Sequence, residues 1–380
     1  QDTEQYFTPY YNKFDETVVG FYGIDEPFYI DNFEAVKIID DLINTSSEGK
    51  RRLFVYQQGG HDGKFTTPGG KMANTLYRVD EALSRTNLFA YVGRLYIYDH
   101  PNAPSVLNYK EQNIELLISG LLERISLNNA NFIASLPFYG NHPSVSNERM
   151  PEPEEILYVT NLGFIYGAKG IQIYNYFGTS LDTFVNKDKM WGIYNFTGNY
   201  SYEMDWVRYN LIKDVISPRL TGLFGKTLKQ LQPTEQHAGS NGIDATYGNE
   251  ININFIKKIE VEQLIEATQC FIELGFFQDN NNLEKKYFMA LNRYYSTEND
   301  LRFTFKDLNN HTNWTVTSFV DTINTTIITD VNDEAIFINM IVPGDAKLYS
   351  IVPTIIAGGE LLADETVEGN YTLEIDLIIG

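Results

Sequence analysis

One cysteine, Cys270, stands in 380 residues. No internal disulfide can form, and a zinc site built on several thiolates is excluded. The five histidines, His61, His100, His142, His237 and His311, are scattered and make no HExxH-type pair, so no metal and no cofactor are expected. Basic residues are few: 29 Lys and Arg stand against 50 Asp and Glu, a net charge of −21. A surface that negative repels phosphate backbones and anionic lipid, which makes nucleic acid and membrane surfaces poor partners. No uncharged apolar run reaches the ~18 residues of a membrane-spanning helix, so membrane insertion is not expected. No signal-like segment opens the chain at Gln1, which reads as a mature or trimmed chain, or a cytosolic one. Tryptophan is scarce, with 3 residues, whereas Tyr and Phe number 26 and 24. Most of those rings are expected in cores. A tyrosine-rich surface would also suit sugar stacking, since the ring has an apolar face and a hydroxyl.

What is present is a chain too long for one ordinary core, so two domains, or a barrel with an appendage, are expected. Up to about residue 232 strand and helix patterns alternate. Val18–Ile24 is an apolar run ending at Asp25-Glu26-Pro27. A helix follows from Asp31, with Phe33, Val36, Ile39 and Ile43 at helical spacing. Strands are predicted at Arg52–Tyr56, Phe89–Tyr98, Asn131–Leu136 and Ile171–Tyr176, and helices at Met72–Ser84, Ile114–Ile125, Glu154–Tyr166 and Trp206–Ile216. Pro218 interrupts the last helix, which resumes over Leu220–Leu231. Strands separated by helices imply parallel pairing. Beyond Pro233, a polar loop to Gly242 leads into short β-type runs from Ile251 to Val352, split by Asp279–Asn282 and Pro343-Gly344-Asp345. That spacing predicts an antiparallel sandwich.

Three stretches together resemble the C-terminal part of a glycoside-hydrolase-type (β/α)8 barrel. Val18–Pro27 is similar to a fourth barrel strand ending in an acidic pair. Tyr166-Gly167-Ala168-Lys169-Gly170 through Tyr174 is similar to the entry into the eighth strand. Met190-Trp191-Gly192-Ile193 through Asn210 is similar to the closing loop and last helix, and Asp99-His100-Pro101 fits the end of a sixth strand. The resemblance implies an α/β fold: a TIM-type barrel over residues 1–232, incomplete within this chain, an antiparallel β-sandwich over 243–355, and a lead-in to a further β module over 356–380. Strands one to three would come from upstream segments of the same large protein or from a partner chain completing the barrel. A secreted or cell-surface location is expected on the same ground.

In such barrels function sits where strands end. The resemblance implies an enzyme that cleaves a poly- or oligosaccharide with two carboxyl groups, one protonating the leaving oxygen and the other attacking or activating water. Glu26 is the candidate acid, with Asp25 beside it, and Asp99 is the candidate second carboxylate. Each has a plain alternative as a helix cap or turn residue. The strand Ile133–Tyr139 offers no glutamate where many retaining enzymes carry one, and Glu148 is a distant substitute. Gln57, His61 and Asn175 are candidate donors to sugar hydroxyls, and Tyr56, Tyr174 and Trp191 candidate stacking rings. Trp191 is expected in a polar loop after Lys187-Asp188-Lys189. The other class of function open to these residues is a non-catalytic carbohydrate-binding or adhesion domain of a large surface protein. Asp330-Asn332-Asp333-Glu334 reads as a solvated turn rather than a calcium loop. Asn-x-Ser/Thr triplets at Asn44, Asn195, Asn199, Asn310, Asn313, Asn324 and Asn370 matter only in a host that glycosylates exported proteins.

Overall fold

The computed structural model describes residues 20–25, 30–46, 52–57, 90–94, 131–138, 140–141, 150–174, 177–182, 187–237, 243–244, 250–261, 271–292, 299–306, 308, 313–330, 332–342 and 344–354. They form a mixed α/β molecule. Its first unit is a five-stranded sheet of β1 (Gly20–Asp25), β2 (Arg52–Gln57), β3 (Ala90–Arg94), β4 (Asn131–Pro137) and β6 (Gly170–Tyr174), with the two-residue β5 (Gly140–Asn141) following β4. Every pairing in that sheet is parallel and the strands lie side by side in chain order. Each crossover therefore steps in the same direction, and the order never reverses as it does in a doubly wound sheet.

Helix α1 (Ile30–Ser46) starts one residue before the expected Asp31 and buries Val36 and Ile43 completely. They stand seven residues apart, two helical turns, which places both on one face. Helix α2 (Pro153–Ile165) is different, because nearly every residue from Glu155 to Ile165 is buried. A helix buried all round must be covered all round, and its polar Glu155, Thr160 and Asn161 have hydrogen-bond partners there. Here β4 lies against one side and the strands β15 (Phe271–Asp279) and β16 (Asn282–Asn292) against another. Pro153 opens the helix, and the Glu155 carboxylate accepts the Glu152 N–H at 2.7 Å. Gly167, at φ +87°, closes it, and its N–H donates to the Phe164 carbonyl at 2.9 Å. A side chain there would meet Pro233 Cγ at 2.6 Å, so the close approach as well as the backbone demands glycine.

After β6 come β7 (Thr179–Asp182), β8 (Lys187–Trp191), β9 (Tyr194–Gly198) and β10 (Ser201–Met204). None of these strands was expected, and Trp191 lies on β8 rather than in a loop. The last helical stretch runs α3 (Trp206–Asn210), a π-helical turn Leu211–Ile216, α4 (Ser217–Thr221) and α5 (Leu223–Gln230). Pro218 does not interrupt it: the chain stays helical from Trp206 to Thr221, with the π-helical turn immediately before the proline. The break falls at Gly222 instead, the extended residue between α4 and α5.

The remaining strands are β11 (Gln232–His237), β12 (Ile243–Asp244), β13 (Glu250–Ile253), β14 (Ile256–Val261), β17 (Asn299–Phe305), β18 (Asn313–Ser318), β19 (Ile323–Ile328), β20 (Ala335–Ile341) and β21 (Ala346–Pro353). The expected polar loop at Pro233 is thus a strand. It sits at the edge of its sheet, paired only with β15, where a proline lacking its N–H costs no ladder bond. The expected run Ile251–Ile256 is two strands joined through Asn254 at φ +52°.

These strands make two antiparallel sheets, β13-β14-β17-β20 and β11-β15-β16-β21-β18-β19 with β12 also on β15. Alternate residues of both meet in one core: Ile259, Phe303, Phe305 and Phe337 from the first, and Leu274, Phe276, Phe288, Trp314 and Tyr349 from the second. The other face of the larger sheet carries Phe277, Tyr287, Met289, Leu291 and Leu348, which join a second core with α2 and β4. The larger sheet is thereby buried on both faces, as its runs of apolar residues require. Among the described residues no helix lies between β13 and β21.

Candidate functional site

Parallel strands in register end on one edge. Asp25 of β1 pairs with Tyr56 of β2, Gln57 with Gly93, Arg94 with Ser135, and Pro137 of β4 with Tyr174 of β6. The backbone therefore brings four candidate residues, Asp25, Tyr56, Gln57 and Tyr174, to the C-terminal edge of the sheet. The other candidates, Glu26, Asp99, His61 and Asn175, lie outside the described residues, as does Glu148. The end of β4 is now fixed: Leu136 and Phe138 are fully buried and flank Pro137, so no carboxylate stands there.

The segment leaving that edge after β6 folds back over itself. Gly140 of β5 pairs with Trp191 of β8, which ties Trp191 to the chain leaving the end of β4. Trp191 is half-buried. The turn after it is closed by Asn195, whose Oδ1 accepts the Gly192 N–H at 2.6 Å and whose Nδ2 donates to the Gly192 carbonyl at 2.7 Å. That side chain is a turn fastener. Phe177, three residues past Tyr174, bridges to Tyr194 of β9. Asp205 then accepts the Arg208 N–H at 3.1 Å to start α3, and Arg208 donates from Nε to the Pro151 carbonyl at 2.7 Å and from Nη1 to Asp205 at 2.6 Å. The edge is so joined to the start of α2.

Sequence reading missed the aromatic residues of this segment. Phe177, Tyr194, Phe196 and Tyr202 lie together, with Tyr194 and Tyr202 stacked at 5.5 Å between centroids and 9° between planes. The signal was available: Tyr194-x-Phe196 and Tyr200-x-Tyr202 alternate on either side of Gly198-Asn199, which is a hairpin pattern.

Among the described residues no group of three His, Cys, Asp or Glu side chains could hold a metal ion, and no helix is long and apolar enough to cross a membrane. The turn at Asp330 is a solvated one: its carboxylate accepts the N–H groups of Asn332 at 2.8 Å and Glu334 at 3.0 Å. Those two backbone bonds, first that from Glu334, hold the Asp330 carboxyl below its usual range.

No family model matches the chain, and no curated protein sequence matches it. Solved structures similar to it are glycoside hydrolases. A family 44 endoglucanase from Clostridium thermocellum is 9% identical, with 92% of this chain and 70% of that one covered at a TM-score of 0.42. A family 44 xyloglucanase from Paenibacillus polymyxa is 7% identical over the same shares at 0.40. A maltogenic α-amylase from Thermotoga neapolitana is 10% identical, covering 92% and 65% at 0.39. The chain thus spans about two thirds of the length of these structures. At such scores and identities the likeness fixes neither chemistry nor substrate.

Proposed function

We propose that this chain is a glycoside-hydrolase-like domain of a secreted or cell-surface protein, acting on a poly- or oligosaccharide. The observation that carries the reading is the parallel sheet in unbroken chain order with Asp25, Tyr56, Gln57 and Tyr174 on its C-terminal edge. A sheet wound in one direction is the wall of a β/α barrel, and that edge is where barrel enzymes hold their reacting groups. In this reading residues 1–232 are an arc of the barrel, completed by other segments of the same polypeptide or by a partner chain. Residues 243–355 are a β-sandwich packed behind it, and 356–380 lead into a further module.

Glu26 follows Asp25 at the end of β1 and serves as general acid, with Asp25 raising its affinity for the proton and Asp99 as the second carboxylate. A carboxyl separation of about 5–5.5 Å gives retention of configuration, and about 6.5–9.5 Å gives inversion. Tyr56, Gln57, His61, Tyr174, Asn175 and Trp191 hold the sugar. A second reading, a carbohydrate-binding domain without turnover, is favoured by one observation: the end of β4 carries buried Leu136 and Phe138 and no carboxylate.

The test is hydrolysis of aryl glycosides and a polysaccharide panel by the chain with its native flanking segments, against Glu26→Gln. General acid catalysis contributes roughly 10²–10⁴-fold, so the variant should lose about that factor while still binding sugar. Equal turnover by both proteins would remove Glu26 from the mechanism. Binding without cleavage by either would establish the second reading.

A further inference from the structure

The hairpin β9–β10 shows its rings to solvent. Tyr202 is 57% exposed and Phe177 59%, although both rings pack on Tyr194. Aromatic rings gathered on one face ordinarily close a core. Here Tyr202, and Phe177 three residues past the end of β6, stay more than half exposed. An independent observation comes from the turn. Gly198 and Ser201 pair across a two-residue loop, and Gly198, Asn199 and Tyr200 take φ of +99°, +50° and +60°. Such a turn favours asparagine followed by glycine. Tyrosine in the second place is strained, and strain kept at an exposed position points to use of the side chain. The Tyr200 ring is 97% exposed.

Three classes of ligand stack on aromatic faces: bases, cations and the apolar faces of sugar rings. A net charge of −21 opposes any phosphate-backed polymer. A cation is held best by faces that converge on it, whereas Tyr194 and Tyr202 lie 9° from parallel. A neutral ring with one apolar face and hydroxyls at its rim fits both the phenol edges and the charge. We propose that Phe177 and the hairpin rings Tyr194, Phe196, Tyr200 and Tyr202 form a stacking platform for a neutral polysaccharide. It extends sugar binding outward from the end of β6, and its substrate class rests on the hydrolase-like reading above.

The experiment is affinity gel electrophoresis and calorimetry of the intact protein with soluble β-glucan, mannan, arabinan and starch, with polygalacturonate and RNA as anionic controls. Wild type should bind at least one neutral polymer and neither anionic one. Tyr202→Ala and Phe177→Ala should each weaken that binding roughly tenfold. Tyr200→Gly should weaken it severalfold while raising the melting temperature, since glycine relieves the turn. Unchanged binding by both alanine variants would overturn the platform, as would failure of all four neutral polymers to bind. So would a shift from dimer to monomer in Tyr202→Ala, which would identify a second copy as the occupant. Aryl glycosides are too short to need the platform. Their cleavage without polysaccharide binding would sink the platform alone. Platform-dependent binding without any cleavage would sink the hydrolase reading alone.

Discussion

Arg219 of α4 grips Asp345, the residue before β21, with both prongs: Nη1 lies 2.5 Å from Oδ1 and Nη2 3.1 Å from Oδ2. Asn161 of α2 completes the joint. Its Nδ2 donates to Asp345 Oδ1 at 3.3 Å and to the Gly344 carbonyl at 3.1 Å, and Arg219 Nη1 reaches its Oδ1 at 3.4 Å. The turn itself is anchored on β16, where the Gly344 N–H donates to the Asn292 carbonyl at 3.0 Å and the Asn292 N–H to the Asp345 carbonyl at 2.9 Å. One buried network therefore joins α2, the helix leading into β6, and α4, which follows the parallel sheet, to the antiparallel sheets.

Breaking that network by one partner should be costly. The two side chains are 10% and 9% exposed, and removing one leaves the other's charge without its partner in a place water hardly reaches. Arg219→Ala and Asp345→Asn should each lower stability by about 3–5 kcal/mol, read from urea unfolding. A loss under about 1 kcal/mol, the size of a surface pair, would show that the joint does not hold the halves together.

Gly275 of β15 makes a second prediction on the same seam. A Cβ there would stand 2.5 Å from the Ile165 carbonyl oxygen and 3.0 Å from Ile165 Cγ2, at the end of α2. The nearest atom is backbone, which cannot swing aside. Gly275→Ala should therefore push α2 off the sheet and cost about 1–3 kcal/mol, seen as a lower melting temperature. An unchanged melting temperature would mean that the seam is looser than this packing.

Much of the fold was legible because its signals are local. The spacing of Val36 and Ile43 fixed α1, the largely apolar run closed by Gly167 fixed α2, and short β-type runs split by turn clusters fixed β15 to β21. Three features were not legible for physical reasons. Pro233 reads as a loop residue until β15 is known to leave its N–H side unpaired. Pro218 reads as a break until the π-helical turn before it is seen to carry the helix through. The strands β7 and β8 are four and five residues long and mostly polar, so pairing and not propensity makes them. The candidate site was legible only as strand ends: register puts Asp25, Tyr56, Gln57 and Tyr174 on one edge, while the platform rings were hidden among ordinary core tyrosines.

Asp321 gives a prediction in acid. Burial opposes its ionisation, but hydrogen bonds from Lys347 at 2.7 Å, Ser318 at 3.0 Å and Asn339 at 3.4 Å, with the Lys347 charge, outweigh that and hold its carboxyl below the ordinary 3.8. A depressed carboxyl contributes stability above the unfolded pKa and loses it as pH falls through the folded one. Wild type should be more stable than Asp321→Asn at pH 7 and pH 5, and the gap should narrow towards pH 3. A gap of constant size across that range would show that Asp321 stabilises through shape and not charge.

Lys169 gives the same sign of slope, stability rising with pH, but in an alkaline window. It stands in the turn between α2 and β6 and donates to the carbonyls of Leu228, at 3.1 Å, and Leu231, the last groups of α5. Carbonyls that end a helix attract a cation. Burial nevertheless dominates and pushes the amine down to about 8 from 10.5. Between those two values the unfolded chain binds a proton that the folded one has released, so stability should rise with pH across the window. Below pH 8 both states carry the proton and the contribution is level. Lys169→Met keeps the stem and removes the titration. Urea unfolding of both proteins at pH 7, 8, 9 and 10 should show wild type gaining on the variant from pH 8 upward. A parallel course for the two would mean that the amine keeps its proton against the carbonyls, and that the helix end outweighs burial.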